Sequence, residues 1–543
     1  MKRSLQCELV NSGAILTSNS HNKHVLAGNS SQVTQAVIIA AGKGSRLNGY
    51  QQHNPKPLVK VGGMPLLTRV ILSAKKVGIK EFVIVIGYQA HKIRDAIDER
   101  KLGVKITWVH NRDWEKQNGV SVLKAEPFVD GKFFLFMSDH VFDTNTLKRV
   151  QQQGLNGNNN GTLCVDYAVN RIYDLEDATK VDTQDGRLLD LGKELTSFNA
   201  VDTGIFICTQ DLFGALRQSQ EEGDDSLSGG VRVLAKARKM NTFDIGDAFW
   251  QDVDTVADVR VAEKLLLNAT RSKGDGIIAQ KLYRPISNMI SKWLLKTPIT
   301  PNQISIFNMV FSFFTAWLIA TGEPLYVMLG GLFFHLASIF DGCDGEVALV
   351  KLRNSKSGAL LDTITDQISY IAFIIGVTIG AYNTTQNELL LGISGILLGF
   401  LVIALSLGLK FLKKQNSGSF RDFNRAVETL NETPKQVWYI KLFALLRPFG
   451  RRDMFAFLVF LLLLPGNVVF LYWLMIAFLF LYCTGSTIAS LYMLSKPGAI
   501  QSLHSLRRYT RIARRRLFGL NGSAKKSQLK KKISCETSNS DNY

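Results

Sequence analysis

Six apolar runs fill the second half of this 543-residue chain and restrict what it can fold into. They lie near residues 304–321, 325–340, 368–383, 388–409, 454–464 and 468–494, the last two parted by Pro465-Gly466-Asn467. The better ones approach the roughly 20 residues that a helix needs to cross hydrocarbon. Leu391–Leu405 and Phe455–Leu464 carry no charge at all, which a buried helical core in a soluble protein does not require. The runs therefore predict an all-α transmembrane domain of six helices. At 46% hydrophobic residues, the composition excludes disordered and collagen-like classes.

The charges between the runs alternate. Connections at Thr321–Glu323, Tyr382–Glu388 and Pro465–Asn467 hold no Lys or Arg, whereas the intervening ones hold Lys351, Arg353 and Lys356, then the basic segment Lys410–Arg452. The positive-inside rule then predicts a multi-pass protein of the cell membrane. Both termini, the soluble part, the Asp341–Asp366 loop and the 410–452 loop fall on the cytoplasmic side. The tail Arg507–Lys532 holds eleven basic residues and no acid, a pattern suited to anionic membrane lipid. No nucleic-acid-binding signature accompanies it, so no nucleic-acid partner is expected. Ile278, Leu282, Ile286, Ile290 and Leu294 recur beside Lys281, Arg284 and Lys292, as in an amphipathic helix lying on a membrane. Six scattered cysteines, with no CxxC, exclude a disulfide scaffold and a structural zinc site. The expected division is a disordered extension at 1–34, a soluble domain at 35–270 and a linker with juxtamembrane helix at 271–303. The transmembrane domain follows at 304–500, and a polybasic tail at 501–543.

In the soluble part, Ala36-Val-Ile-Ile-Ala40 reads as a strand leading into Gly42-Lys-Gly44-Ser-Arg46. A glycine-rich turn after a strand brings backbone N–H groups close to phosphate oxygens. The dinucleotide fingerprint wants a third Gly where Leu47 stands, and the P-loop wants Gly-Lys-Ser/Thr, so both are excluded. Arg46 and Lys56, in Pro55-Lys56-Pro57, are two cations near a phosphate-sized turn and suggest a bound triphosphate. Phe82–Ile86 and Phe133–Met137 read as buried strands of an α/β sheet with parallel strands. The second ends at Asp139, on the edge where such sheets bind ligands. Asp252 and Asp254 follow Trp250, and acids from separate strand ends can hold one Mg2+ on an α-phosphate. Asp254 is equally suited to cap the helix that follows.

Ala40-Ala-Gly-Lys-Gly-Ser-Arg46, Pro55-Lys56-Pro57, Asp139 and Trp250-x-Asp252 resemble the nucleotidyltransferases of the sugar-1-phosphate and phosphoalcohol type. The resemblance implies a Rossmann-like mixed α/β sheet, in which a phosphate-monoester oxygen attacks the nucleotide α-phosphorus and expels pyrophosphate. It further implies that Ala40, Ala41, Gly42 and Gly44 bind nucleotide, that Arg46 and Lys56 hold phosphates, and that Asp139 and Asp252 bind Mg2+. Asn118 and Gly119, in Asn118-Gly119-x-Ser121, would line the base and sugar pocket.

In the membrane part, Asp341 and Asp344 lie three apart on one helical face, and Asp362 and Asp366 four apart on another. Carboxylates beside membrane spans are costly unless they bind cations or line a polar cavity. Gly345 and Gly358 would let the two helices approach, and the opposed faces could form a dinuclear site for phosphoryl transfer. The spacing resembles the CDP-alcohol phosphotransferase motif D-x2-D-G-x2-A-R-x8-G-x3-D-x3-D at every position but one. Leu349 stands where that family has Arg, and Lys351, Arg353 or Lys356 are candidate substitutes. The resemblance implies six spans and a CDP site that includes Asp341, Gly345, Ala348 and Gly358. Asp341, Asp344 and Asp362 would bind metal beneath the CDP pyrophosphate, and Asp366 would bind metal or act as general base. Mg2+ is the expected ion, with Mn2+ an alternative in the membrane half.

A nucleotidyltransferase followed by a CDP-alcohol user is coherent chemistry, because the first half makes what the second consumes. With Asn199-Ala-Val-Asp-Thr-Gly204, the arrangement resembles the bifunctional inositol-1-phosphate cytidylyltransferase and di-myo-inositol-phosphate phosphate synthase family. This implies that CTP and inositol 1-phosphate give CDP-inositol, a CDP-alcohol that then meets a second inositol phosphate and releases CMP. Two alternatives stay open: another phosphoalcohol with a lipid acceptor, as in phospholipid synthesis, and an inactive membrane half serving as an anchor. A homodimer is a candidate assembly.

Overall fold

The computed structural model describes residues 33–47, 54–153, 161–271, 276–414 and 451–495. The N-terminal extension up to residue 32, residues 272–275 of the linker, most of the 410–452 loop and the polybasic tail lie outside the described residues.

The first half is built on a nine-stranded sheet. In chain order its strands are β1 (Gln35–Ala40), β2 (Glu81–Ile86), β3 (Lys105–His110), β4 (Phe133–Met137), β5 (Gly161–Asp166), β6 (Lys180–Gln184), β7 (Arg187–Gly192), β8 (Ala200–Cys208) and β9 (Met240–Asp244). The spatial order is β3-β2-β1-β4-β8-β5-β9-β7-β6. β1 runs parallel to β2 and β4, and β9 runs parallel to β5, whereas β8 between these two groups runs antiparallel to both β4 and β5. The sheet is therefore mixed, as expected. Both faces are covered, and for that reason β1 and β4 read as unbroken apolar runs rather than alternating ones. Ala36–Ile38 and Phe133–Phe136 are fully buried. Central strands of this kind end at a fixed edge, and the loops leaving it carry the chemistry.

Two short antiparallel ribbons project from the sheet. In one, Trp250–Asp252 pairs with His140–Phe142 so that Asp252 stands opposite His140. In the other, Lys60–Val61 pairs with Met64–Pro65 around Gly62-Gly63, just before helix α1 (Leu66–Lys75). Helices α2 (Asn118–Leu123) and α3 (Val256–Ala269) complete the parts used below. Thr255, and not Asp254, caps α3: its side chain and that of Asp258 form a reciprocal capping box. Asp254 is thereby left for the site.

The second half is helical: α4 (Arg284–Leu294), α5 (Pro301–Ala320), α6 (Pro324–Val350), α7 (Lys356–Thr385), α8 (Leu389–Lys414), α9 (Arg452–Leu463) and α10 (Val468–Ser495). Five of these, α5, α6, α7, α8 and α10, are long and apolar enough to cross a membrane. The run expected as the fifth of six spans gives α9, whose 12 residues rise only about 18 Å. The six runs thus become six helices, but the count of six spans is not established. Asp341–Asp366 is not a loop: α6 continues nine residues beyond Asp341, turns at Lys351–Ser355 and re-enters as α7. Helix α4 buries Ser287, Ser291 and Leu294 and leaves Met289 and Trp293 exposed.

The glycines that permit close helix approach are not the expected ones. A side chain at Gly345 would meet nothing within 4 Å. Gly376 and Gly380 of α7 instead sit directly on the α5 backbone, where a Cβ would fall 2.5 Å from the Ala316 carbonyl and 2.3 Å from that of Ile319. Overpacking of this kind costs about 1–3 kcal/mol or more. Gly376→Val is therefore expected to lower the thermal stability of the detergent-purified protein markedly. Gly392→Val, where nothing lies within 4 Å, should leave its melting profile unchanged.

Candidate functional site

Two clusters of carboxylates stand at the ends of these elements. In the first half, β1 delivers Ala40 and Ala41 to the sheet edge, and Gly44 turns with φ +60° directly over the Lys56 side chain. A Cβ at Gly44 would lie 2.5 Å from Lys56 Cβ, so only glycine admits this approach. Lys56 Nζ donates to Asp139 Oδ2 at 2.5 Å, reaches Asp252 Oδ1 at 3.6 Å and contacts Asp254. Arg46 contacts Asp177 at 2.5 Å and Asp254 at 3.1 Å. His140 Nδ1 donates to Asp139 Oδ1 at 2.9 Å. Trp250 is pinned by its indole N–H, which donates to buried Asp166 at 3.1 Å, and Asp166 is itself held by Arg171. This fixes the ribbon that carries Asp252. The adjoining cavity, about 570 Å3, is lined by Asn118, Asp139, Asp177, Lys193, Asp202 and Asp252 among others. Its size suits a small polar ligand.

The electrostatics follow from burial and neighbours. Burial alone would lower the Lys56 ammonium, but Asp139, Asp252 and Asp254 together raise it. Burial opposes ionisation of Asp139, yet Lys56 and His140 hold it below the usual carboxylate range. His140 would be lowered by burial, but Asp252 and Asp139 raise it to about 9. Burial pushes Asp252 up to about 6, with Asp139 and Asp254 adding to the rise and His140 and Lys56 opposing it. Asp202 is also raised to about 6 by burial, which the Gly204 N–H donation to it only partly offsets.

The second cluster lies where α6 and α7 meet. Ligand atoms of Asp341, Asp344 and Asp362 all fall within 4.8 Å of one another. Asp344 accepts from Ser305, and Asp341 accepts from Asn308 Nδ2 at 3.1 Å. Arg452, at the start of α9, reaches Asp341 at 2.7 Å and contacts Asp366. Glu346, fully buried, takes Arg284 at 2.7 Å and Ser287 at 2.6 Å, which locks α4 onto α6.

Both clusters fit a divalent cation. Asp139, His140 and Asp252 also converge within 4.8 Å, and buried Asp252 Oδ1 has no hydrogen-bond partner. In the membrane half the buried Asn308 Oδ1 beside Asp341 is similarly unsatisfied. Hard oxygen donors of this type suit Mg2+ or a related ion.

Comparison with known proteins accounts for both halves. Residues 36–236 match the MobA-like NTP transferase domain, and residues 298–482 match the CDP-alcohol phosphatidyltransferase family. The bifunctional IPC transferase and DIPP synthase of Aquifex aeolicus is 34% identical over 345 residues, 63% of this chain and 76% of that protein. The protein of the same description from Rubrobacter xylanophilus is 33% identical over 357 residues, 64% of this chain and 77% of its own length. The chain belongs to this family of bifunctional IPC transferases and DIPP synthases. A solved structure, the inositol-1-phosphate CTP transferase from T. maritima, superposes with a TM-score of 0.39 at 27% identity and covers 43% of this chain and 96% of that one.

Within this family frame, the structure brings Arg46, Lys56, Asp139 and Asp252 together, and likewise Asp341, Asp344 and Asp362, with Asp366 joined to them through Arg452. Asn118 lines the cavity and accepts the Leu227 N–H at 2.9 Å. Gly119 lies beneath it, against the Asp225 and Ser226 backbone. Gly345 faces open space, whereas Gly358 lies against Ser355 and Asn302. Lys351 does not stand in for the arginine absent at Leu349: its ammonium donates to the Thr297 and Ile299 carbonyls. Among the described residues, Arg452, which the sequence reading places in a basic loop, stands among the membrane carboxylates. His140 and Asp177 are not among the site residues that the sequence reading singles out, and Asp254 stands there both as a second acid beside Asp252 and as a helix cap. The signal for Asp254 was the Trp250-x-Asp-x-Asp spacing; Asp177 and Arg452 had none.

Asp202 yields a pH-dependent expectation. A carboxyl whose folded pKa is raised to about 6 keeps its full contribution below the unfolded pKa and loses stability as pH rises through about 4 to 6. Asp202→Asn should therefore stabilise the protein at pH 8 by about 1–2 kcal/mol. The gain in melting temperature over wild type should shrink as the pH is lowered towards 5.

Proposed function

We propose that this protein makes CDP-inositol from CTP and inositol 1-phosphate, then transfers phosphoinositol to a second inositol phosphate with release of CMP. The observation that carries this is the pairing, in one chain of this family, of two convergent carboxylate sites, one at a nucleotidyltransferase sheet edge and one between helices α6 and α7. The first half corresponds to residues 35–270 and the second to 304–500.

In the first reaction, Gly42 and Gly44 present backbone N–H groups to the triphosphate, and Arg46 and Lys56 neutralise the departing pyrophosphate. Both cations are held by carboxylates, and triphosphate binding would exchange those partners for phosphate oxygens. A phosphate oxygen of inositol 1-phosphate attacks the α-phosphorus, and the bond to pyrophosphate breaks. Asp139 and Asp252 would hold Mg2+, which supplies charge neutralisation at the α-phosphate. Asn118 and Gly119 are assigned to the nucleoside side of the cavity.

In the second reaction, Asp341, Asp344 and Asp362 would hold Mg2+, or Mn2+, beneath the CDP pyrophosphate, with Gly345, Ala348 and Gly358 leaving room for the nucleotide. The acceptor hydroxyl attacks the phosphorus that bears inositol, CMP leaves, and Asp366 takes the hydroxyl proton. Arg452 bridges Asp341 and Asp366, and so orients that base. The convergence of Asp341, Asp344 and Asp362, with Asp366 tied to Asp341 through Arg452, argues against a membrane half that is only an anchor, because such charges are costly to retain there. The alternation of basic and uncharged connections supports a soluble half and both termini on the cytoplasmic face, against anionic lipid.

Purified protein in detergent, given CTP, Mg2+ and inositol 1-phosphate, should show by phosphorus NMR a CDP-inositol signal that decays into a phosphodiester with CMP. Asp139→Asn should abolish pyrophosphate release, by about 100-fold or more, yet still convert supplied CDP-inositol. Asp362→Asn should do the reverse and accumulate CDP-inositol. Label that partitions into chloroform instead would identify a lipid acceptor and overturn the assignment.

A further inference from the structure

We propose that Arg69, a residue of the nucleotidyltransferase half, is a positioning residue for the membrane-side reaction, because it fixes the C-terminal end of the helix that carries Asp341 and Asp344. The inference rests on the two-reaction reading above and concerns how one half depends on the other.

Arg69 lies on α1 and is almost completely buried, at 3% exposure. A guanidinium so far from water is costly unless its donors are used. Its Nη2 donates to the Val61 carbonyl at 2.7 Å, within its own half, and its Nη1 donates to the Val350 carbonyl at 2.7 Å, across the boundary. Val350 is the last residue of α6. The final carbonyls of a helix lack intrahelical donors and carry the negative end of its dipole, so a buried cation there both satisfies and neutralises the terminus. The next residue is tied down as well, since Lys351 donates to the Thr297 and Ile299 carbonyls at 2.9 and 3.2 Å.

The surroundings admit little movement. Gly62 and Gly63 turn with φ of +58° and +76° against the membrane half. A Cβ on Gly63 would stand 2.0 Å from the Leu295 carbonyl oxygen, and one on Gly62 would stand 2.7 Å from a Val350 methyl. Val61, Leu66 and Leu266 share one buried apolar cluster with Leu294, Ile304 and Val347. The two halves therefore share a core, and Arg69 is the buried polar contact at the end of α6 within it; the exposed Lys76 ammonium donates to Asn354 Oδ1 in the turn beyond. Asp344 and Asp341 lie roughly 9 Å and 14 Å back along the α6 axis from that contact. A helix transmits displacement of its end along its length, so a slip at Val350 moves both carboxylates relative to Asp362 on α7.

The test uses full-length protein in detergent and measures the half-reactions separately: pyrophosphate release from CTP, and CMP release from supplied CDP-inositol and inositol 1-phosphate. Arg69→Met keeps the volume and removes the donors. It should leave the first reaction within about twofold and lower kcat of the second by about tenfold, with KM for CDP-inositol nearly unchanged. Backbone hydrogen exchange at 347–353 should accelerate, and Arg69→Lys should recover part of both the rate and the protection. Gly62→Ala, whose Cβ would press on a Val350 methyl and on Arg69 Nη2 at 2.7 and 3.4 Å, disturbs the same contact from the turn and should repeat the pattern. Loss of both reactions together would make Arg69 a fold residue of its own half and overturn the proposal, as would unchanged CMP release. If wild type releases no CMP, the two-reaction reading fails instead; exchange then still decides this inference, and unaltered exchange in Arg69→Met overturns it.

Discussion

Carboxylates clustered for phosphoryl transfer repel one another, by about 4 kcal/mol per pair at 4 Å with an effective dielectric constant near 20. Each half of this protein offsets that repulsion by inserting basic side chains among the acids. Lys56 stands between Asp139, Asp252 and Asp254, and Arg452 between Asp341 and Asp366. Much of the architecture around both sites serves this placement. Gly44 must lack a side chain so that the Lys56 stem can pass beneath the glycine-rich turn, and Asp166 holds the ribbon that presents Asp252. On the membrane side, Glu346 clamps α4 to α6 while Ser305 and Asn308 of α5 hold Asp344 and Asp341. The same cations have a second use, because a lysine or arginine already among carboxylates is in place when a phosphate enters.

The two halves are not independent bodies on a tether. The glycine turn between Lys60–Val61 and Met64–Pro65 seats against Leu295 and Val350, and the apolar cluster is continuous through the boundary. A segment belonging to the nucleotide-binding fold thereby touches the end of the helix that bears the CDP-alcohol motif. The physical consequence is that the fused arrangement is a packing requirement as well as a chemical convenience: separated, each half would expose apolar surface now buried against the other.

Much of the site was legible in the primary structure, because local geometry carries it. A strand followed by Gly-x-Gly, and acids three or four apart on a helix, are set by backbone periods that need no tertiary information. Hence Arg46, Lys56, Asp139, Asp341, Asp344 and Asp362 were nameable as candidates from spacing and resemblance. Asp177 and Arg452 were not, since their partners lie 131 residues away at Arg46 and 86 away at Asp366. Lys351 illustrates the converse: its position next to the motif suggested a substitute for the missing arginine, but the buried carbonyls of Thr297 and Ile299 claim its ammonium. Gly345 was read as a packing glycine, yet the helix contacts are made by Gly376 and Gly380, a choice fixed by how α7 crosses α5.

What the amino-acid order determined by itself was periodic and local: which segments are apolar enough to leave water, where helices and strands begin, and which acids share a helical face. What only the tertiary structure decided was pairing across long sequence separations: the antiparallel course of β8, the release of Asp254 from capping duty by Thr255, the insertion of Arg452 among the carboxylates, and the seating of Arg69 on the end of α6. These depend on the relative placement of elements whose contacts are short-ranged and non-directional until packing brings them together. A side chain's neighbours along the chain fix its backbone, but its charge partner is whichever residue the packed core leaves within reach.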